Sequence, residues 1–252
     1  MPLLADSDGE MQSRVIAGTG FTFNAVRIGD LGATEYTLAD IVVDLTGSTA
    51  PFANELRDTV VTSVATLKRS PRSDNLLLRV TVFSTMYPLG VMELHGYVPL
   101  DEIDVNAYPT FQPMGATPLY DATFSAIGAM YDYGADLRKN KFAVNGIAII
   151  ITDGCDNDST MTPALIRDKI VQGTQLETLE SLVSIVVGIN AAQYRNVLEA
   201  FVRDAGLGSY IDAGDATPAK LAKLADFISH SVSSQSQALG SGGPSQAIAA
   251  II

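Results

Sequence analysis

The chain of 252 residues has a single cysteine, Cys155, so it cannot form an internal disulfide. It has two histidines, His95 and His230, and neither sits in a serine/aspartate pattern that would suggest a hydrolytic triad. Basic residues are also scarce: 16 Lys and Arg stand against 28 Asp and Glu, for a formal charge of −12. That balance repels phosphate backbones and anionic lipid, and disfavours nucleic acid or a membrane surface as partners. No apolar run reaches the roughly 20 residues needed to cross a bilayer. The first twenty residues, MPLLADSDGEMQSRVIAGTG, have neither a basic nor an apolar leader region, which gives a cytoplasmic expectation.

What the chain does have is apolar content, 47% against 17% charged, enough for a sizeable core. From Thr37 onward, strand-sized apolar runs alternate with helical patterns. The strand runs include Ile41–Leu45, 146–151 and Leu182–Ile189; the helical ones include 52–67, 117–133, 162–179 and 218–230. Runs such as GIAIII and LVSIVVGI lack period-two alternation, as strands covered on both faces do. The expectation is an α/β fold: a doubly wound, mostly parallel sheet with helices on both faces. The linker between 76–83 and 91–98 is too short for a crossover helix, so that pair should be antiparallel, with the second strand at the sheet edge. Residues 99–115 read as a long loop crossing the sheet's upper edge.

Three domain segments are expected. Residues 1–37 form an N-terminal extension with an extra strand at FTFNAVRI, residues 38–232 the folded domain, and residues 233–252 a flexible Gly/Ser/Gln tail. The tail ends in AIAAII, which either docks in a partner's groove or is an untethered end.

Oxygen-bearing side chains gather at strand ends. Asp44-Leu-Thr46-Gly-Ser48 follows the strand IVV, Thr117 stands in GATPLYDA before a helix, and Asp153 ends the run IIITDG. Each segment alone is an ordinary turn or helix cap. Together they bring two carboxylates and three hydroxyls to the carboxyl edge of the sheet, where open α/β sheets bind ligands. A donor set of hard oxygens without imidazole or thiolate selects Mg2+ first, with Mn2+ or Ca2+ next, over Zn2+ or copper.

Asp44-x-Thr46-x-Ser48, Thr117 and Asp153 together resemble the metal-ion-dependent adhesion site (MIDAS) of von Willebrand factor A (VWA) domains, across residues 38 to 230. Stand-alone bacterial and phage members, including the tellurium-resistance type, are similar. The resemblance implies that Thr46 and Ser48 coordinate directly, Thr117 directly or through water, and Asp44 and Asp153 largely through water. It implies a non-enzymatic interaction module or adaptor that binds an acidic residue of a partner protein, with an AAA+ ATPase or a kinase and phosphatase system as partner types.

Two other readings stay open. One is a Mg-dependent haloacid-dehalogenase-like phosphohydrolase, against which Thr46 occupies the position that chemistry needs for an acid/base aspartate. The other is a virion or assembly component using the fold as scaffold. In the loop after the strand, Asp156 and Asp158 lack the glycine spacing and distal glutamate of an EF-hand, and read as solvated acids beside the crevice.

Overall fold

The apolar runs become the central strands of one eight-stranded sheet in the computed structural model, which describes residues 11–242. The order along the chain is β1 (Met11–Val15), β2 (Thr22–Val26), β3 (Glu35–Asp44), α1 (Ala53–Leu67), β4 (Leu76–Phe83), β5 (Val91–Pro99), α2 (Leu119–Lys139), β6 (Ala143–Thr152), α3 (Pro163–Gln175), β7 (Leu182–Ile189), α4 (Arg195–Ala205), β8 (Ser209–Gly214) and α5 (Pro218–Ser241). Across the sheet the order is β1-β2-β5-β4-β3-β6-β7-β8, and β4, β3, β6, β7 and β8 run parallel as neighbours.

Side chains alternate between sheet faces, so a strand covered on both sides must be apolar at every position. Leu38 and Val42 of β3 and Ala148 and Ile150 of β6 pack with α2, α3 and α4. Ile41 and Val43, with Ile147 and Ile149, pack with α1 and α5 on the other face. The expected doubly wound architecture is therefore observed. Among the described residues, no helix is long and apolar enough to cross a membrane.

Strands β4 and β5 are antiparallel, as their short linker requires. β5 is not the edge strand, however. The N-terminal segment forms an antiparallel hairpin of β1 and β2, and β2 lies beside β5, paired with it at Ala25 and Tyr97. The expected strand in FTFNAVRI is β2, and its partner β1 lies in sequence without a clear strand pattern. Aromatic rings anchor the hairpin: Tyr97 stacks on Tyr133 at 5.6 Å and Phe23 meets Tyr97 edge-on at 6.4 Å. Tyr133 Oη donates to the Val26 carbonyl at 2.9 Å.

The expected boundary at residue 233 falls inside α5, which continues as helix to Ser241 and buries Val232, Gln235, Ser236 and Leu239. Polar contacts hold this half. Asn145 Nδ2 donates to the Gln235 carbonyl at 2.8 Å, Gln235 Nε2 donates to Ser181 Oγ at 2.9 Å, and Arg72 Nε donates to Ser236 Oγ at 3.3 Å. A serine- and glutamine-rich stretch reads as a linker by composition, but here its polar groups have partners in the fold. The hexapeptide AIAAII lies outside the described residues.

A charged cluster lies between α2 and the sheet. Arg79 of β4 is fully buried and donates from Nη1 to Asp40 Oδ2 at 2.9 Å, from Nε to Glu93 Oε1 at 2.6 Å and from Nη2 to Ser125 Oγ at 3.3 Å. Burial raises the Asp40 pKa, against the pull of Arg79.

His95 of β5 is buried nearby, with Nδ1 2.9 Å from the Gly96 carbonyl and Nε2 2.7 Å from Tyr108 Oη. A neutral ring satisfies both contacts, since Nδ1–H donates to the carbonyl and Nε2 accepts from the tyrosine. Burial holds its pKa down at about 4. Because the folded pKa is depressed, the folded state binds fewer protons than the unfolded chain between about 6.5 and 4. The contribution is complete above that window and is lost as pH falls through it, by roughly 3 kcal/mol. Buried acids such as Asp40 have the opposite slope, so the comparison of interest is wild type against His95→Gln. Urea unfolding should show the wild-type advantage shrinking by about 3 kcal/mol from pH 7 to pH 4. A constant difference would contradict a buried neutral histidine.

Candidate metal centre

Parallel neighbours β3 and β6 end side by side, with Val43 opposite Ile151, so Asp44 and Asp153 emerge at the same sheet edge. Asp44 is 1% exposed and both its oxygens are engaged. Oδ1 accepts the Thr46 backbone N–H at 2.9 Å, which folds the loop back on itself, and Oδ2 accepts the Thr152 hydroxyl at 2.7 Å, which ties the two strand ends together. Burial pushes the Asp44 pKa up to about 6; hydrogen bonds from Thr46 and Thr152 oppose this and the nearby Asp153 adds to it.

Thr46 is buried and Ser48 exposed, and their hydroxyl oxygens lie 3.2 Å apart. Ser48 Oγ donates to Asp153 Oδ1 at 2.8 Å. Burial raises the Asp153 pKa, while the Ser48 hydrogen bond lowers it. Four of the five expected residues are therefore linked in one hydrogen-bonded group.

Thr117 reaches the group through backbone links. Gly47 N–H donates to the Gly115 carbonyl at 3.1 Å and Met114 N–H to the Leu45 carbonyl at 3.0 Å, which joins the first loop to the second. Gly115 has a positive φ of 76°, and a Cβ there would lie 2.7 Å from Thr85 Oγ1 and 2.8 Å from Ser84 Oγ, so this approach needs glycine. Thr117 N–H donates to Asn157 Oδ1 at 2.7 Å, and Asn157 N–H donates back to the Thr117 carbonyl at 3.0 Å. The Thr117 side chain itself makes no hydrogen bond among the described residues.

Thr117 is not the cap of α2, as its place before a proline suggests. The helix starts at Leu119 and its first N–H groups are met from another loop: Tyr120 N–H donates to Asp156 Oδ1 at 3.1 Å and to Ser159 Oγ at 3.0 Å. Asp156, read from sequence as a solvated acid, is thus a helix cap, well placed at the positive end of α2. Asp121 was not legible as a site residue. Buried in the first turn of α2, it accepts Thr160 N–H at 3.0 Å and Met161 N–H at 2.7 Å, and so pins the loop that begins at Asp153.

The donor set fits a small hard cation. Ligands at right angles around Mg2+ at about 2.0–2.1 Å lie about 3 Å apart, and wider around Ca2+. The 3.2 Å between the Thr46 and Ser48 oxygens is close to that spacing. Thr117 adds a hydroxyl that has no other partner among the described residues. Met86, whose side chain lies against Gly115, and Met114, which precedes Gly115 in the chain, are both more than half exposed.

No protein-family model and no curated protein matches the chain. Solved structures do. A D319A mutant of the PilB minor pilin from Streptococcus sanguinis is similar with a TM-score of 0.58 at 12% identity, covering 89% of this chain and 67% of that one. The pilus adhesin SpaC from Lactobacillus rhamnosus GG has a TM-score of 0.56 at 12% identity, covering 84% and 32%. Proximal thread matrix protein 1 from the mussel byssus, with a zinc-occupied MIDAS motif, has a TM-score of 0.50 at 16% identity, covering 81% and 46%. This chain therefore spans about a third of the adhesin and under half of the thread protein. What the likeness shows is the fold alone, a mostly parallel α/β sheet with helices on both faces.

Proposed function

We propose that the chain is a non-enzymatic interaction module that holds a divalent cation, Mg2+ first, at Asp44, Thr46, Ser48, Thr117 and Asp153, and through it binds an acidic residue of a partner protein. The observation that carries this reading is the pair of neutral hydroxyls, 3.2 Å apart, backed by two carboxylates whose pKa burial raises. When bound, the cation supplies positive charge little neutralised by its hydroxyl ligands, which a partner carboxylate completes. Asp44 holds the first loop in shape, Ser48 presents its oxygen at the exposed side, and Asp121 and Asp156 fix the loop that carries Asp153. Met86 and Met114 favour a partner acid flanked by an apolar side chain.

The phosphohydrolase reading needs an aspartate nucleophile open to substrate. Asp44 is buried with both oxygens hydrogen-bonded, and Thr46 takes the place of the proton donor. Generic phosphate esters should show no turnover with Mg2+ present.

Affinity capture with the chain as bait, in Mg2+ or in EDTA, tests the module directly. A metal-dependent set of captured proteins is expected, and Ser48→Ala should lose it while unfolding within about 1 kcal/mol of wild type. Capture that ignores both EDTA and the substitution would sink the proposal.

A further inference from the structure

The strands at the two ends of the sheet present different edges. β8 carries Asp212 and an irregular register before Gly214, features that discourage a further strand. β1 has neither: its sequence MQSRV holds no proline, lysine or acid, and Arg14, its one charge, turns inward onto Asp136. Ile16 N–H donates to the Phe21 carbonyl at 2.8 Å, and Arg14 lies opposite Phe23. Hydrogen-bonded positions alternate in an antiparallel pair, so the N–H and C=O groups of Ser13 and Val15 point away from β2. Water meets these groups in the free chain; what they offer is a template for one more strand.

A groove continues from this edge. Ala17 N–H, in phase with Ser13 and Val15, donates to Asp132 Oδ2 of α2 at 2.9 Å, and Lys169 of α3 donates to Asp132 Oδ1 at 2.7 Å, so α3 faces the end of the hairpin across α2. Between the turn at 17–19 and α3 opens a cavity of about 480 Å³. Its apolar lining is within a ligand's reach: Leu165 is 44% exposed and Met161 half-buried, with Phe124 beneath them. Leu176, 70% exposed at the end of α3, continues the helix face that bears Leu165 and Gln172. On the strand side Val15 is 63% exposed. The charge of Lys169 is met by Asp132, whereas Asp168 is exposed and in no ion pair among the described residues. In a chain of net charge −12 that arrangement favours a cationic group in the partner.

We propose that this groove takes an extended segment of a partner protein, which pairs its backbone with Ser13 and Val15, sets an apolar side chain between Leu165 and Met161 and places a Lys or Arg beside Asp168. The surface is separate from the metal crevice and does not rest on metal binding.

Selection in EDTA from a phage-displayed library of random decapeptides tests this. Enriched peptides should alternate apolar residues, carry Lys or Arg and bind the full chain with a dissociation constant on the order of 10 µM. Hydrogen exchange of the complex should show the Ser13 and Val15 amides gaining protection, the signature of an added strand. Val15→Pro removes an outward N–H without touching the pairing to β2, and Leu165→Glu alters an exposed position of α3. Each should weaken binding at least about tenfold with the fold intact, and Ser48→Ala should leave it unchanged. No enrichment, enriched peptides without a basic residue, binding without protection of Ser13 and Val15, or binding that survives both groove variants or is lost with Ser48→Ala would overturn the proposal.

Discussion

Arg79→Met is expected to cost about 3–5 kcal/mol in urea unfolding at pH 7, a large share of a typical stability of roughly 5–15 kcal/mol. The methionine fills much of the arginine's volume, so packing is not the main loss. The substitution leaves Asp40 and Glu93 buried with no opposing charge. Breaking one partner of a buried ion pair costs far more than replacing the whole group. Adding Asp40→Asn and Glu93→Gln to Arg79→Met should therefore recover most of the loss. The single variant's deficit should also shrink as pH falls, because protonation relieves the stranded Asp40 carboxylate, whose pKa burial already raises. A deficit independent of pH, or no recovery in the triple variant, would mean that lost contacts rather than stranded charge set the cost.

Gly96→Ala should release the N-terminal hairpin. A Cβ at this position would lie 2.0 Å from the Asn24 carbonyl oxygen and 2.5 Å from its carbon. Both atoms are backbone, so no side chain can swing aside, and β2 must move away from β5. The expected cost is about 3 kcal/mol. Hydrogen exchange should locate it: amides of residues 22–26 should lose protection, while β3 and β6 at the sheet centre keep theirs. Unchanged protection in β2 would show that the sheet adapts to the extra methyl.

The central sheet was legible because its physics is local. Ile147 to Ile151 are apolar at consecutive positions, and a strand with both faces covered leaves that pattern in sequence. Asp44, Thr46, Ser48 and Asp153 were legible for a related reason, since residues that leave parallel strands at the same end must share an edge. Arg79 left no such trace. It is the one charge in LLLRVTVF, and its partners at 40 and 93 lie on other strands, so nothing in its neighbourhood announces a buried cluster. The hairpin was half legible: β2 carries alternating apolar residues, but its place beside β5 depends on Gly96 and on rings from distant segments. The last two turns of α5 were misread because serine and glutamine signal a linker by composition, whereas here Gln235 and Ser236 are buried on partners at 145, 181 and 72. Asp121 and Asp156 show the same limit, as each acts on a backbone about forty residues away.

The central claim is that the hydroxyl-lined crevice holds a divalent cation. Isothermal titration of Mg2+ into the metal-free chain, with Zn2+ as competitor, tests it most directly. Wild type should bind a single Mg2+, and Ser48→Ala should bind it about 10–100-fold more weakly with its fold intact. An absence of saturable Mg2+ binding in wild type, or equal binding by Ser48→Ala, would contradict the account.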